Sequence, residues 1–276
     1  MSPRLLRQRV LSYAALGVAA LLILFPVYWM VVTSLKLPRD ILRTPSFWPH
    51  VLTWNNYHIL IEDKGFLDNI RNSFIVALMV TAISLVISSL AAYALARYRM
   101  RWRGLIGRLF LFAYLTPTSL LFIPLSIVMA QLGLGNSLVG LVLVYLTFSL
   151  PLATWLLQSY FRGVPRELEE QGMIDGLTRL GALVRIVLPL SAPGLAAVAI
   201  FTFTGAWNEL LLALVLITSG SQRTAPLALN YLITSDTLPW GPLMAGAVLS
   251  SLPLVVLYFI AQRFMVQGLT AGSVKG

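Results

Sequence analysis

The stretch RGVPRELEEQGMIDGLTRLGALVRIVLPL, residues 162–190, decides the fold. It separates two long apolar runs, and it gathers four of the ten acidic residues of the chain between Glu167 and Asp175. Pro165 suits the first position of a helix, and the acids that follow suit its first turns, where the helix dipole favours anions. Gly176 suits a helix stop. The pattern therefore predicts a short helix that ends at Gly176.

A second amphipathic segment follows in the same stretch. Its apolar residues recur at i, i+3, i+4 and i+7, and they are Leu180, Leu183, Val184 and Val187. We expect Pro189 to end this segment, which gives two short helices joined at Asp175 and Gly176. Such a pair either lies on a membrane surface or docks a soluble partner. Three acids within five residues favour docking.

Composition places the chain around this stretch in lipid. Of 276 residues 58% are apolar and 11% charged, and the mean hydropathy is +0.82. A soluble domain carries about 25% charged residues, so disorder is excluded and an ordinary soluble globule is disfavoured. Six apolar runs are long enough to cross a bilayer. They are about Tyr13–Ser34, Ile70–Ala96, Leu109–Gln131, Leu138–Phe161, Ala192–Thr218 and Pro242–Phe264.

The charges orient these runs. The net charge is +10, and fourteen of the 20 Lys and Arg residues lie on the side of the 162–190 stretch in a six-span arrangement. Lys and Arg collect in cytoplasmic loops, so both termini are expected in the cytoplasm, and the basic charge requires no nucleic-acid partner. The first run is too long for a cleaved signal peptide and predicts a retained signal-anchor helix.

Few residues suggest catalysis or metal binding. Cysteine is absent, which excludes disulfides, a thiol nucleophile and a cysteine metal site. His50 and His58 lie in a polar, Trp-rich stretch without a second ligand motif, so we expect loop residues and no metal. No catalytic residue is predicted.

One acid falls inside a predicted span. Glu209 follows Trp207 and Asn208 in the fifth run. A carboxylate within the membrane is costly and marks a candidate functional site, so these three residues are the candidate translocation path. Packing between subunits, or a position close to the outer interface, is the alternative.

The 162–190 stretch resembles a known motif. Glu170-Gln171-Gly172 is followed after three residues by Gly176, and after nine more by Ile186, one residue and Leu188-Pro189. This spacing resembles the EAA motif of ABC importer permeases, which reads Glu-Ala-Ala, three residues, Gly, nine residues, Ile-x-Leu-Pro. The chain departs from it at Gln171 and Gly172, where the family has two alanines.

The resemblance extends over the second half of the chain. Phe201–Leu211 is similar to the fifth helix of carbohydrate importer permeases, and residues 240–246 are similar to the start of the sixth. Residues 268–276, GLTAGSVKG, resemble the tail of MalG-like permeases of the maltose/trehalose type. In that family the tail contacts the paired ATPases, which points to Gly268, Thr270, Gly272 and Lys275.

The resemblance implies an all-α polytopic fold, a type I ABC importer transmembrane domain with six transmembrane helices. It would comprise a signal-anchor helix and outer loop over 1–68, the transmembrane domain over 69–265 and a cytoplasmic tail over 266–276. In the family the 162–190 loop couples the permease to its ATPase. The matching residues are Glu167, Glu170, Gln171, Gly172, Asp175, Gly176, Ile186, Leu188 and Pro189.

The implied function is import of a sugar across the inner membrane of a prokaryote. An extracytoplasmic binding protein would deliver the sugar, a MalF-like permease would pair with this chain, and a homodimeric ATPase would drive transport. The chain carries no Gly-x-x-x-x-Gly-Lys-Ser/Thr motif. We therefore expect no cofactor here, with ATP and Mg²⁺ bound by the ATPase.

Two other functions were weighed. A secondary transporter or channel for a small polar solute would need paired intramembrane ionisable groups, and one Glu with scattered prolines fits this poorly. Those prolines suit either kinked helices around a transport path or kinked packing without one. A membrane enzyme would need a His-Glu-x-x-His, a Gly-x-Ser-x-Gly or a facing carboxylate pair, which the sequence lacks.

Overall fold

The computed structural model describes residues 3–43, 46–98, 100–234 and 238–272. All regular elements in these ranges are helical, and fourteen of them are α-helices. They are α1 (Pro3–Ser34), α2 (Pro38–Arg43), α3 (Asn55–His58), α4 (Phe66–Arg97), α5 (Arg103–Leu115), α6 (Thr118–Gln131), α7 (Leu138–Gly163), α8 (Arg166–Ile174), α9 (Arg179–Ala182), α10 (Leu188–Leu190), α11 (Ala192–Asn208), α12 (Leu211–Leu216), α13 (Ala225–Ile233) and α14 (Trp240–Gly272).

Four helices of the described ranges are long and apolar enough to cross a membrane alone. These segments are Leu11–Ser34, Phe66–Arg97, Leu138–Gly163 and Trp240–Gln262. Two further pairs pass the same test only together: α5 and α6 are bent by 94°, and Arg179–Leu190 and α11 by 81°. The expected all-α polytopic fold is confirmed, with up to six spans if each bent pair is one span.

The third predicted run is not one straight helix. It breaks at Pro117: Thr116, the residue before the proline, is extended with ψ 124°, a conformation that a following proline favours. One carbonyl at the end of α5 keeps a partner, because the Thr116 hydroxyl donates to the Phe112 carbonyl at 3.1 Å. Helices continue through the other internal prolines, at positions 26, 124, 151 and 253.

The fifth predicted run is also interrupted. α11 ends at Asn208, Glu209 is extended with ψ 128°, and α12 begins at Leu211. The prediction of one helix over Ala192–Thr218 was therefore wrong, because a long-range contact of Glu209, described below, stabilises a second helix start.

The described residues form two compact units. The first unit lies within 1–67 and 229–252. The buried Asn56 amide donates to the carbonyls of Ser34 and Lys36, both at 2.8 Å. A Cβ at Gly241 would collide with the Asn56 side chain, so glycine permits this approach. The segment between α1 and α4 contains α2, α3 and a π-helical turn, Ile59–Asp63.

The second unit comprises 68–228 and the chain from 253 onward. One buried apolar cluster joins α4, α6, α7 and α12, and another joins the C-terminal half of α4, α7, α11 and the segment that follows α8. The start of α4 holds the 219–225 segment: the Asn72 amide donates to the carbonyls of Ser221 at 2.8 Å and Arg223 at 3.0 Å. The Ser73 hydroxyl accepts from the Ala225 amide at 2.7 Å.

Candidate functional site

The helix predicted in the 162–190 loop is α8. Pro165 has ψ 134° and precedes the helix, one position before the predicted one. Gly176 ends it with φ +95°, a left-handed conformation that glycine adopts readily. The Leu177 amide donates to the Gly172 carbonyl at 2.9 Å and the Gly176 amide to the Met173 carbonyl at 3.1 Å, which is the Schellman arrangement of a helix end.

The predicted coupling residues on α8 and directly after it divide between an exposed face and a buried face. Exposed side chains belong to Glu167, Glu170, Gln171 and Asp175, and Ile174 is 85% exposed. Gly172 is buried, and a Cβ built on it would lie 2.6 Å from Ile186 Cδ1. The structure therefore brings Gly172 and Ile186 together and leaves Glu167, Glu170 and Asp175 accessible.

The second predicted helix is built from three short pieces. α9 passes into a π-helical turn, Leu183–Val187, and then into α10. Leu183 and Val187 are buried, whereas Leu180 and Val184 are 61% and 58% exposed, so only half of the predicted apolar face is covered. Leu188 packs partly buried on the second cluster, Pro189 is exposed, and the segment ends after Pro189 at Leu190.

Glu169 is the one acid between Glu167 and Asp175 that is not among the predicted coupling residues. Its side chain is 5% exposed and forms an ion pair with the Arg97 guanidinium at the end of α4, itself 10% exposed. The Tyr93 hydroxyl donates to Glu169 Oε2 at 2.9 Å. Arg97 Nη2 also donates to the Val164 carbonyl at 2.8 Å. Charge-assisted hydrogen bonds thus join α8 to α4.

A signal for Glu169 was present in the sequence. It precedes Gly172 by three residues and therefore shares a helix face with it. Because Gly172 marks a close approach, that face is buried, and a buried carboxylate requires a cation. Its partner could not be named, since Arg97 lies 72 positions away.

Glu209 stabilises the break between α11 and α12. Its carboxylate accepts from the Leu212 amide at 2.9 Å and the Ala213 amide at 3.2 Å, as a helix cap does. The buried Tyr145 hydroxyl on α7 donates to Glu209 Oε2 at 2.6 Å. The carboxylate therefore has three donors, which offset the cost of placing it among apolar helices.

A cavity of about 510 Å³ lies beside this break in the second unit. It is lined by aromatic rings and a few polar groups, a composition and size usual for sites of small organic ligands. Among the lining residues are Tyr114, Tyr145, Phe201, Asn208, Glu209 and Tyr258.

Trp207, the third predicted path residue, lies elsewhere. It is 1% exposed and stacks on Phe203 with ring centroids 5.7 Å apart, and both pack with Ala77 of α4. The structure thus brings Asn208 and Glu209 to the cavity and separates Trp207 from them.

The predicted tail begins within α14. The helix continues without a break at 265–266, and its backbone includes Gly268, Thr270 and Gly272. Lys275 lies outside the described residues.

Comparison with known proteins shows the family of the chain. Residues 84–271 match the family of binding-protein-dependent transport system inner membrane components. The chain belongs to this family. Its fold is a type I ABC importer transmembrane domain, and the expected family resemblance is confirmed.

Known relatives align with nearly the whole chain. It is 41% identical over 254 residues to the sulfoquinovosyl glycerol transport system permease protein SmoH of Agrobacterium fabrum, covering 92% of this chain and 89% of SmoH. It is 37% identical over 278 residues to the trehalose/maltose transport system permease protein MalG of Thermococcus litoralis, covering 98% and 100%.

A solved structure shares the fold. It is the crystal structure of a bacterial ABC transporter involved in the import of the acidic polysaccharide alginate, with a TM-score of 0.80 over 95% of this chain and 98% of that one. At 22% identity this likeness supports the fold alone.

Proposed function

We propose that this chain is a permease subunit of an ABC importer for a sugar, a di- or oligosaccharide, driven by a separate ATPase. The observation that carries the proposal is α8, a short helix with the EAA spacing that exposes Glu167 and Glu170. Permease relatives for sulfoquinovosyl glycerol and for trehalose and maltose support a sugar as the cargo.

The exposed face of the 162–190 loop is the proposed ATPase contact. Glu167, Glu170 and Asp175 offer carboxylates, and beside them Ile174 is 85% exposed. Exposed apolar groups rimmed by charges mark protein interaction sites. We place the family tail, Gly268, Thr270, Gly272 and Lys275, against the same ATPase pair.

We infer the arrangement around this chain from its charge, with support from its family. Both termini and the 162–190 loop face the cytoplasm of a prokaryote, because the basic residues concentrate there. A MalF-like permease completes the path, and an extracytoplasmic binding protein delivers the sugar. The domain spans 69–265, after a signal-anchor helix and loop (1–68) and before the tail (266–276). Trp207 is buried against α4 and supports α11, while Asn208 and Glu209 line the path.

Co-purification and uptake test the function. The chain, purified with its native partners, is expected to bring an ATPase, a second permease and a binding protein, and in vesicles to import sugar only with ATP. Uptake that persists with a hydrolysis-deficient ATPase would instead favour the secondary transporter.

Two substitutions test the coupling role of the loop. Glu170→Gln removes an exposed charge, and Gly176→Ala strains a residue at φ +95°. Both are expected to lower the sugar imported per ATP hydrolysed by about tenfold, while the chain remains in the membrane. Glu62→Gln, an exposed acid outside the loop, is the control and should leave the ratio unchanged. Normal uptake in both loop variants would refute the coupling role.

A further inference from the structure

Both helical segments of the 162–190 loop converge on the C-terminal turn of α4. Glu169 of α8 pairs with Arg97, and Arg166 Nη2 donates to the Ala96 carbonyl at 3.4 Å. From the second segment, the Arg179 guanidinium lies over the Tyr98 ring, 5.0 Å from its centroid. Residues far apart in sequence thus fix the loop to one helix end.

The pair of Arg97 and Glu169 is the strongest of these contacts. Both side chains are almost completely buried, and each is also bonded to a second group, Glu169 to the Tyr93 hydroxyl and Arg97 to the Val164 carbonyl. Separating such a pair leaves an uncompensated charge in a low dielectric, which is strongly unfavourable. The contact therefore resists any motion that would move α8 away from α4.

We infer that the Arg97–Glu169 pair is the mechanical link that makes α4 move with the coupling helix, so that displacement of α8 by the ATPase reaches the membrane-spanning helices. This rests on the proposed function. The exposed Glu167 and Glu170 face the ATPase, whereas Glu169 faces the permease itself. Glu169 and Arg97 are positioning residues, because they act through the helices that they join.

Replacement of the buried Glu169 distinguishes a role in coupling from a role in folding and assembly. In the reconstituted importer, Glu169→Gln is expected to keep ATP hydrolysis but to lower sugar imported per ATP by about fivefold or more. A role in folding alone would lower assembly, hydrolysis and uptake together and leave the ratio unchanged. The control is Asp68→Asn, which removes an exposed ion pair at the other end of α4. An unchanged ratio in Glu169→Gln overturns the link.

Reversible crosslinking gives a second, independent test. The natural chain has no cysteine, so Arg97→Cys/Glu169→Cys carries the only two thiols. The reduced variant is expected to be poorly coupled, and a short cleavable thiol crosslinker to restore the ratio to within about twofold of wild type. Failure of the crosslink to form, or a crosslinked complex that stays poorly coupled, overturns the proposal. A wild-type importer that takes up no sugar would instead refute the proposed function.

Discussion

Loss of the Glu209 carboxylate should destabilise the chain through two separate contacts. In Glu209→Ala the amides of Leu212 and Ala213 lose their cap, and the buried Tyr145 hydroxyl loses its acceptor. Removal of a helix cap costs about 1 kcal/mol. A buried hydroxyl without a partner costs about 1–3 kcal/mol. Together the free energy of unfolding should fall by about 2–4 kcal/mol.

Conservative variants show how much of this loss of unfolding free energy comes from each contact. Glu209→Gln keeps an acceptor oxygen but loses charge assistance, so we expect a loss of about 1 kcal/mol. Tyr145→Phe removes only the hydroxyl and should cost a similar amount in the wild type. In the Glu209→Ala background the same change should instead stabilise by about 1–3 kcal/mol, because it removes the unpaired hydroxyl. The interaction energy of the cycle is therefore expected to exceed about 1 kcal/mol.

The assay is unfolding of the purified chain in mild detergent micelles titrated with SDS, followed by helix content. Tyr114→Phe is the matched control, because Tyr114 lines the same cavity and no bond joins it to Glu209. It should leave stability unchanged. The reasoning is refuted if Tyr145→Phe costs the same in both backgrounds, or if Glu209→Gln and Glu209→Ala are equally unstable.

Two further predictions concern local packing and a turn. In Gly172→Ala the gain in helix propensity of about 1 kcal/mol is offset by overpacking on Ile186. Adding Ile186→Val to this variant should therefore raise the thermal midpoint of its unfolding. If Ile186→Val raised the midpoint of the wild type equally, this packing would be contradicted. Asn136 has φ +52° and accepts from the amides of Thr218 and Ser219. Asn136→Ala should therefore lose about 1 kcal/mol more than Asn136→Gly, by the same thermal measurement, and equal losses would exclude backbone strain.

Local features of the site could be predicted from the sequence. The end of α8 at Gly176 was predictable, because a glycine that directly follows a short helical pattern is a strong local signal for a left-handed helix end. The long apolar runs were recognisable for the same reason, since each is a property of about 20 adjacent residues.

Features that depend on distant contacts could not be predicted. The run through Glu209 and Leu210 is apolar on both sides, and its break is stabilised by Tyr145, 64 positions away. The chain bends sharply at Pro117, whereas helices continue through the four prolines inside them. The local preference of the residue before a proline is nevertheless the same in all five cases. The outcome at each proline depends on which neighbours pack beside the freed carbonyls.

The two faces of α8 explain why the loop carries its acids so close together. A helix of nine residues is too short to be stable alone, so one face must be attached to the permease. Glu169 and Gly172, three residues apart, form that buried face. Glu167, Glu170 and Ile174 lie along the other face and remain exposed. A run of acids that served docking alone would leave the helix unattached to the permease, and one that served packing alone would leave no exposed face for the proposed ATPase contact. Under the proposed link, the Glu169–Arg97 pair transmits a displacement of the exposed face of α8 to α4.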